Sequence, residues 1–180
     1  MEFVIRGIIC YNDSLITVRG NTMEERSRYK IGFASQDQWE DAMGLAWKTF
    51  LEFEASDYPP EGVRSFEDFV TDTNLKRMFQ AGAYQMMTVF DGGRMIGMVT
   101  LRNQMHISLL FVDKAYHFQG VGRALILQMA SYVRKEFGTS RMTVNASPYG
   151  VPFYHKVGFR DIGPQRCEDG IIFTPMEYML

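Results

Sequence analysis

Cysteine is scarce in this chain: Cys10 and Cys167 are the only two in 180 residues, and they lie too far apart to form a C-x-x-C metal or redox pair. Two free, buried thiols are the expectation, with no metal site. Charge of one sign is also lacking. A formal net charge of -2 offers no basic field for a polyanion, so nucleic acid is not expected as a principal partner. No apolar run approaches the ~18 residues of a membrane span, so no membrane association is expected. The opening Met1-Glu2-Phe3-Val4-Ile5-Arg6 places an acid and an Arg where a secretory signal has neither pattern. A cytoplasmic protein is therefore expected. Repeats, linkers and low-complexity segments are absent as well. What is present is the composition of a folded domain: 46% hydrophobic, 14% aromatic and 22% charged residues, in a length that suits one core.

Phe3 to Cys10 and Leu15 to Arg19 flank Asn12-Asp13-Ser14 and predict a β-hairpin. Met23 begins a second plausible start, Met-Glu-Glu-Arg, ahead of a strand from Tyr29 to Ala34. Residues 1–22 thus read as a hairpin extension and residues 23–180 as one domain. The apolar hairpin could meet a second subunit, which makes a homodimer an expectation. Ser35 and Gln38 have capping-box spacing, and Trp39, Met43, Ala46, Trp47 and Phe50 recur at helical intervals, predicting a helix over Asp37 to Phe53. Tyr58-Pro59-Pro60-Glu61-Gly62 should break it, and Ser65 to Gln80 should form a second helix interrupted near Thr73-Asn74. Strands follow at Tyr84 to Phe90 and Arg94 to Leu101 around the turn Asp91-Gly92-Gly93, then at Met105 to Val112. A long helix over Gly120 to Phe137 ends at Gly138. Arg141 to Asn145 predicts a strand, Tyr149 to Val157 a short helix, and the tail two strands separated by Gly163-Pro164.

The most informative stretch runs from Leu109 through Asp113 and His117-Phe118-Gln119-Gly120-Val121-Gly122-Arg123-Ala124 to Leu125. It reads as strand, loop and helix. Gly120 and Gly122 let the backbone come close to a ligand, while the unpaired amides of the first helical turn point outward at the positive end of the helix dipole. That arrangement suits an anion such as pyrophosphate. A dinucleotide site would want a third glycine where Leu125 stands, and a triphosphate loop would want Gly-Lys-Ser/Thr; neither is present.

His117-Phe118-Gln119-Gly120-Val121-Gly122 resembles the signature of the GNAT superfamily of acetyltransferases: Arg or Gln, two residues, Gly, one residue, then Gly or Ala. Both glycines are kept, and His117 stands at the first position. A second stretch, Asn145-Ala146-Ser147-Pro148-Tyr149-Gly150 through Phe153-Tyr154-His155-Lys156-Val157-Gly158-Phe159, is similar to the second signature of that family. The resemblance covers roughly Tyr29 to Leu180. It implies an α/β fold with a mixed, mostly antiparallel sheet of six or seven strands flanked by helices, and acetyl-CoA as cofactor. It further implies a cradle of main-chain amides from Gln119 to Ala124, with His117, Phe118 and Arg123 beside it. The preceding strand, at Leu110, Phe111 and Val112, would pair with the pantetheine arm as an added strand does. Asn145 and Ser147 would lie along the same arm, although relatives carry Asn where Ser147 stands. Tyr154 falls on the tyrosine that protonates the departing thiolate.

Attack on a thioester needs a neutral amine, so a proton must be taken from the ammonium form. His106, four residues before Leu110, is the leading candidate for that relay, ahead of His117 and His155. The acceptor pocket is expected from the first two helices and their loop, with Trp47 and Phe53 nearby and Phe50, Glu54 and Tyr58 as contacts for a cationic amine. The function expected is N-acetyl transfer to the primary amine of a small molecule or peptide. A non-catalytic acyl-CoA sensor is the alternative, against which Tyr154 argues.

Overall fold

A computed structural model describes residues 29–180; the expected hairpin, Cys10 and the segment on which the homodimer rests lie outside the described residues. The chain runs β1 (Tyr29–Phe33), α1 (Trp39–Phe53), α2 (Pro60–Thr71), α3 (Thr73–Gln80), β2 (Gln85–Asp91), β3 (Arg94–Arg102) and β4 (His106–Val112). It continues through α4 (Val121–Phe137), β5 (Arg141–Ala146), α5 (Val151–Val157), β6 (Arg160–Asp161), β7 (Arg166–Glu168) and β8 (Ile171–Met179).

Local chemistry explains most boundaries. The amide of Ser35 donates to Gln38 Oε1 at 3.2 Å, closing the expected cap ahead of α1. The Pro59-Pro60 pair starts a helix rather than only ending one: Pro60 sits at the first position of α2, where no N–H is needed and its fixed φ is helical. Asp72 separates α2 from α3, and its carboxylate accepts the amide of Asn74 at 2.7 Å. Gly120 and Gly138 bracket α4, both in the left-handed region.

Among the described residues eight strands are ordered β1-β2-β3-β4-β5-β8-β6, with β7 also on β8. Six or seven were expected; the tail supplies the difference, because the segment before β8 folds back twice as the short β6 and β7. All pairings are antiparallel except that of β4 with β5. One face is covered by α4 and α5, with Leu125, Ile126, Met129 and Val133 packed on Val89, Ile96, Val99 and Leu101. The other is covered by α1 to α3, with Trp39, Met43, Phe50 and Phe79 packed on Met86, Met98, Leu109 and Phe111. Each such fully buried side chain contributes about 1.5–3 kcal/mol relative to exposure, which makes the two layers the principal source of stability.

β4 carries one irregularity. Leu101 faces Ile107 and Thr100 faces Leu109, so Ser108 is an extra residue without a partner on β3. This bulge reverses the side-chain alternation: Ile107 packs on the α4 face, whereas Leu109 and Phe111 pack on the α1 face. Thr100 holds the bulge, its hydroxyl oxygen accepting both the Leu109 amide at 3.0 Å and the Tyr84 hydroxyl at 2.6 Å. Both Thr100 and Tyr84 are buried, and burial pushes the Tyr84 hydroxyl up to about 12, so it stays a donor. Thr100→Val should therefore strand two buried donors at about 1–3 kcal/mol each and lower the urea midpoint, while Thr100→Ser should lose far less.

Candidate active site

β4 and β5 pair only at His106 with Thr143 and at Ile107 with Val144; among the described residues no later position pairs. Beyond that point the strands part, and a cavity of about 590 Å³ opens between them. Which main-chain groups of β4 face the opening is set by its register with β3. The Asp113 amide donates to Ile96 oxygen at 2.8 Å, and Val112 lies opposite Gly97. Val112 is then in a non-hydrogen-bonded position, as is Leu110 opposite Val99, so both turn N–H and C=O towards the gap. Phe111 directs its main chain to β3 and offers the site only its ring, which corrects the expectation that all three residues pair with a ligand arm. The Val112 carbonyl is already met by His117 Nε2 at 2.8 Å.

The N-terminus of α4 forms the far end of the cavity. Gly120 has φ +83°, a conformation that costs an L-residue about 1–2 kcal/mol and costs glycine little. Phe118 adopts φ +59° despite its ring, which is fully exposed. The amides of Val121, Gly122 and Arg123 lie in the first turn, where no earlier helical carbonyl can reach them. Ala124 departs from expectation: its amide donates to the Gly120 carbonyl at 2.9 Å, so it is spent within the helix and does not belong to the cradle. Gln119 also does not line the cavity. Its side chain instead braces the loop, accepting the Tyr29 hydroxyl at 3.0 Å and donating to Ala115 oxygen at 2.7 Å.

The loop between β4 and α4 is tied to the sheet through buried Asp113. Its carboxylate takes Arg94 Nη2 at 2.7 Å and the Ala115 amide at 3.0 Å, with Lys48 Nζ at 3.8 Å. Burial pushes this carboxyl up, but the Ala115 amide and the two cations outweigh it and hold it below its ordinary value of 3.8. A depressed acid contributes stability above its unfolded pKa and loses it as pH falls through the folded one. Asp113→Asn should thus melt below the parent at pH 7, the gap closing as the pH is taken below about 3.8, the ordinary value. Scanning calorimetry across that range tests it.

Tyr154, on α5, also lines the cavity, buried and with its ring edge-on to those of Phe153 and Phe159. Burial and then the charge of Glu54 raise its hydroxyl well above the ordinary tyrosine value, so it holds its proton at every physiological pH. Glu54 caps the C-terminus of α1 and lines the cavity together with Ser147. Burial, with Asp57 adding to it, raises the Glu54 carboxyl, and the Ser147 hydroxyl offsets only part of that rise. Tyr58 donates to Ile172 oxygen at 3.1 Å, which fixes it as a wall of the cavity. Burial, with Glu54 adding, pushes its hydroxyl up as well.

His106 lines the same cavity, with Nδ1 2.9 Å from Thr143 Oγ1. Burial, helped by the positive charge of Arg102, drives its pKa down to about 4. The ring is neutral at pH 7 and a poor resting place for a proton, which weighs against the expected relay. His155 is exposed and paired with Asp161 at 2.7 Å, as its place on α5 implies.

The structure gathers Phe50, Glu54, Tyr58, His106, Leu110, Phe111, Val112, His117, Phe118, Gly120, Val121, Gly122, Arg123, Asn145, Ser147 and Tyr154 around one cavity, leaving out Gln119 and Ala124. Trp47 stands behind the wall, stacked on Phe50 and Phe66. Sequence reasoning missed Phe66 and Phe69 on α2, Arg102, Ser108 at the bulge, and Ile172 and Phe173 on β8. The spacing of Phe66 and Phe69 on one helical face signals burial but not a cavity. Nothing in the order of residues brings β8 to α2. That approach is made by Gly62 and Gly170, whose main chains meet so closely that a Cβ on Gly62 would lie 2.2 Å from Gly170 oxygen. Ser65 Oγ donates to Asp169 oxygen at 2.8 Å beside them.

Known proteins share parts of this sequence and this fold. The chain is 35% identical over 69 residues to a glucosamine 6-phosphate N-acetyltransferase of Trypanosoma brucei brucei, a stretch spanning 38% of this chain and 41% of that relative. Its fold is similar to a GCN5-related N-acetyltransferase of Rhodopseudomonas palustris, with TM-score 0.73 and 20% identity over 86% of this chain and 97% of the other. It is similar also to the PaiA N-acetyltransferase of Thermoplasma acidophilum in complex with coenzyme A, with TM-score 0.68 and 19% identity over 84% and 99%. The model of the acetyltransferase (GNAT) domain matches residues 54–180, most of the chain and the whole of the cavity's cradle and tyrosine segment, and the chain belongs to the GNAT acetyltransferase family.

Proposed function

We propose that this chain moves an acetyl group from acetyl-CoA to the primary amine of a small molecule or peptide by direct attack, with both substrates bound together. The observation that carries the reading is the coincidence of three features in one cavity. These are the parting of β4 from β5, the unspent first-turn amides of α4, and the buried hydroxyl of Tyr154. The cradle fits coenzyme A: Val121, Gly122 and Arg123 amides would hold pyrophosphate, and Leu110 with the Val112 N–H would pair with the pantetheine amides. The coenzyme A complex of the Thermoplasma acidophilum neighbour supports that assignment. Bound acetyl-CoA supplies an activated acyl carbon, and the protein orients, shields and manages protons.

The amine nitrogen bonds to the acyl carbon as the carbon–sulfur bond breaks, and the sulfur leaves with the proton of Tyr154. The unionised tyrosine that burial enforces is the form this step requires. The proton of the acceptor's ammonium must leave it before or during the attack. Phe50 and Tyr58 would flank the amine, with Glu54 as the counter-charge.

Thiol release from acetyl-CoA, followed against glucosamine 6-phosphate, polyamines, arylalkylamines, amino acids, aminoglycosides and peptide N-termini, tests the proposal. Amine-dependent release with at least one class is the expected result. Tight coenzyme A binding without release in any of them would instead mark an acyl-CoA sensor.

A further inference from the structure

We propose that the ring of Phe118 is a stacking platform for the adenine base of coenzyme A, so that the loop before α4 holds the pyrophosphate with its main chain and the base with a side chain. This role requires coenzyme A as the cofactor and is independent of where the acetyl group goes. Two costs meet in that one residue. Phe118 has φ +59°, a left-handed conformation that crowds the Cβ of an L-residue and that glycine adopts freely. Its ring is also 101% exposed, whereas the other large apolar side chains exposed among the described residues are 41–52% exposed and keep about half of their area packed. Packing therefore does not hold the ring in place.

The ring is nevertheless mounted on a fixed neighbour. Among the described residues its one ring contact is with His117, T-shaped at 6.2 Å. His117 is anchored in turn, with Nε2 2.8 Å from the Val112 carbonyl oxygen and its ring 4.9 Å from that of Phe53. Backbone strain and an uncovered aromatic face, with nothing in the fold to offset either, mark a residue kept for a ligand.

The place of the ring identifies the group it meets. Phe118 lines the cavity at the end formed by α4, three residues before Val121, whose amide opens the pyrophosphate cradle. With the pantetheine arm in the gap between β4 and β5 and the pyrophosphate on the first-turn amides, the ribose and base continue on the other side, out of the gap and towards solvent. A phosphate or a ribose hydroxyl gains nothing from a phenyl face. Adenine is the aromatic group of the cofactor, and stacking it on a phenyl ring takes apolar area of both out of water. Such stacking tolerates an exposed site, because it needs a flat face and no buried polar partner.

The test is the calorimetric affinity of the full chain for two probes, coenzyme A and phosphopantetheine, which keeps the arm and one phosphate and lacks the adenosine. Phe118→Ala should weaken coenzyme A by about tenfold or more and phosphopantetheine by less than about twofold. Phe118→Trp should hold coenzyme A within about threefold of the parent. Its added indole emission should fall on saturation with coenzyme A and hold steady with phosphopantetheine. Phe118→Gly separates affinity from folding: it should melt above Phe118→Ala, since it alone relieves the strained φ, yet weaken coenzyme A to the same extent. Equal losses for the two probes in F118A place the ring on the arm or in the folding of the loop, and no loss for either leaves it idle. Both results overturn the proposal while coenzyme A binding stands, as does an indole whose emission ignores coenzyme A. A parent chain that binds no coenzyme A sinks the cofactor assignment, and this proposal with it.

Discussion

Replacing Tyr154 by Phe should lower kcat by about 100-fold or more while leaving coenzyme A affinity within twofold, because the ring keeps its packing and only the proton donor is lost. The hydroxyl belongs to a buried side chain wedged between Phe153 and Phe159, so its removal disturbs neither α5 nor the cradle at α4. A thiolate leaving without a proton is the step that slows, and the loss should shrink for acyl donors with more acidic thiols. Steady-state rates with acetyl-CoA and an activated acetyl thioester, alongside calorimetric affinity, make the comparison. Equal rates for parent and variant in a chemistry-limited assay would remove Tyr154 from the reaction.

The second large effect is expected far from the chemistry, at Gly62. A methyl group there would sit 2.2 Å from the carbonyl oxygen of Gly170 and 2.8 Å from its carbon, main-chain atoms with no freedom to swing aside. Gly170 cannot yield easily, since its φ is +77° and a Cβ of its own would meet Gly62 nitrogen at 2.4 Å. Gly62→Ala should therefore lift the β7–β8 turn from α2, break the Ser65 bond to Asp169, and cost about 1–3 kcal/mol as overpacked sites do. Because Ile172 and Phe173 follow that turn and line the cavity, the amine KM should rise about tenfold or more. Coenzyme A affinity should hold, as the cradle lies at the other end. A melting temperature within a degree of the parent would show that the two main chains are not in contact in solution.

How much of this was legible depends on the range of the interaction. The α4 boundaries were readable because Gly120 and Gly138 act on their own backbone, and the capping pair Ser35 and Gln38 acts across one turn. The cradle was legible in outline for the same reason. It was overdrawn at Ala124, where the four-residue period of helical hydrogen bonding had already claimed the amide. His106 was found as a cavity residue but given a role its surroundings resist, since the burial and the arginine that lower it come from other segments. Glu54 was seen as a contact for a cationic amine; its raised carboxyl depends on burial and Asp57 and could not be seen in the order of residues. The bulge at Ser108 was invisible, because Met105 to Val112 reads as an ordinary alternating strand until its partner is known. The approach of Gly62 to Gly170 joins positions more than a hundred residues apart, where no local pattern operates.

The slip in register at Ser108 divides one short strand into two halves that answer to different neighbours. His106 and Ile107 still run alongside β5, whereas Leu109 and Phe111 turn to the α1 layer, Leu110 and Val112 turn to the α4 layer, and the edge of this second half no longer pairs with β5. Replacements before the slip should retune which nucleophile is admitted, and replacements after it should alter the grip on the carrier. A strand divided in this way can change what it meets along one half without rebuilding the other.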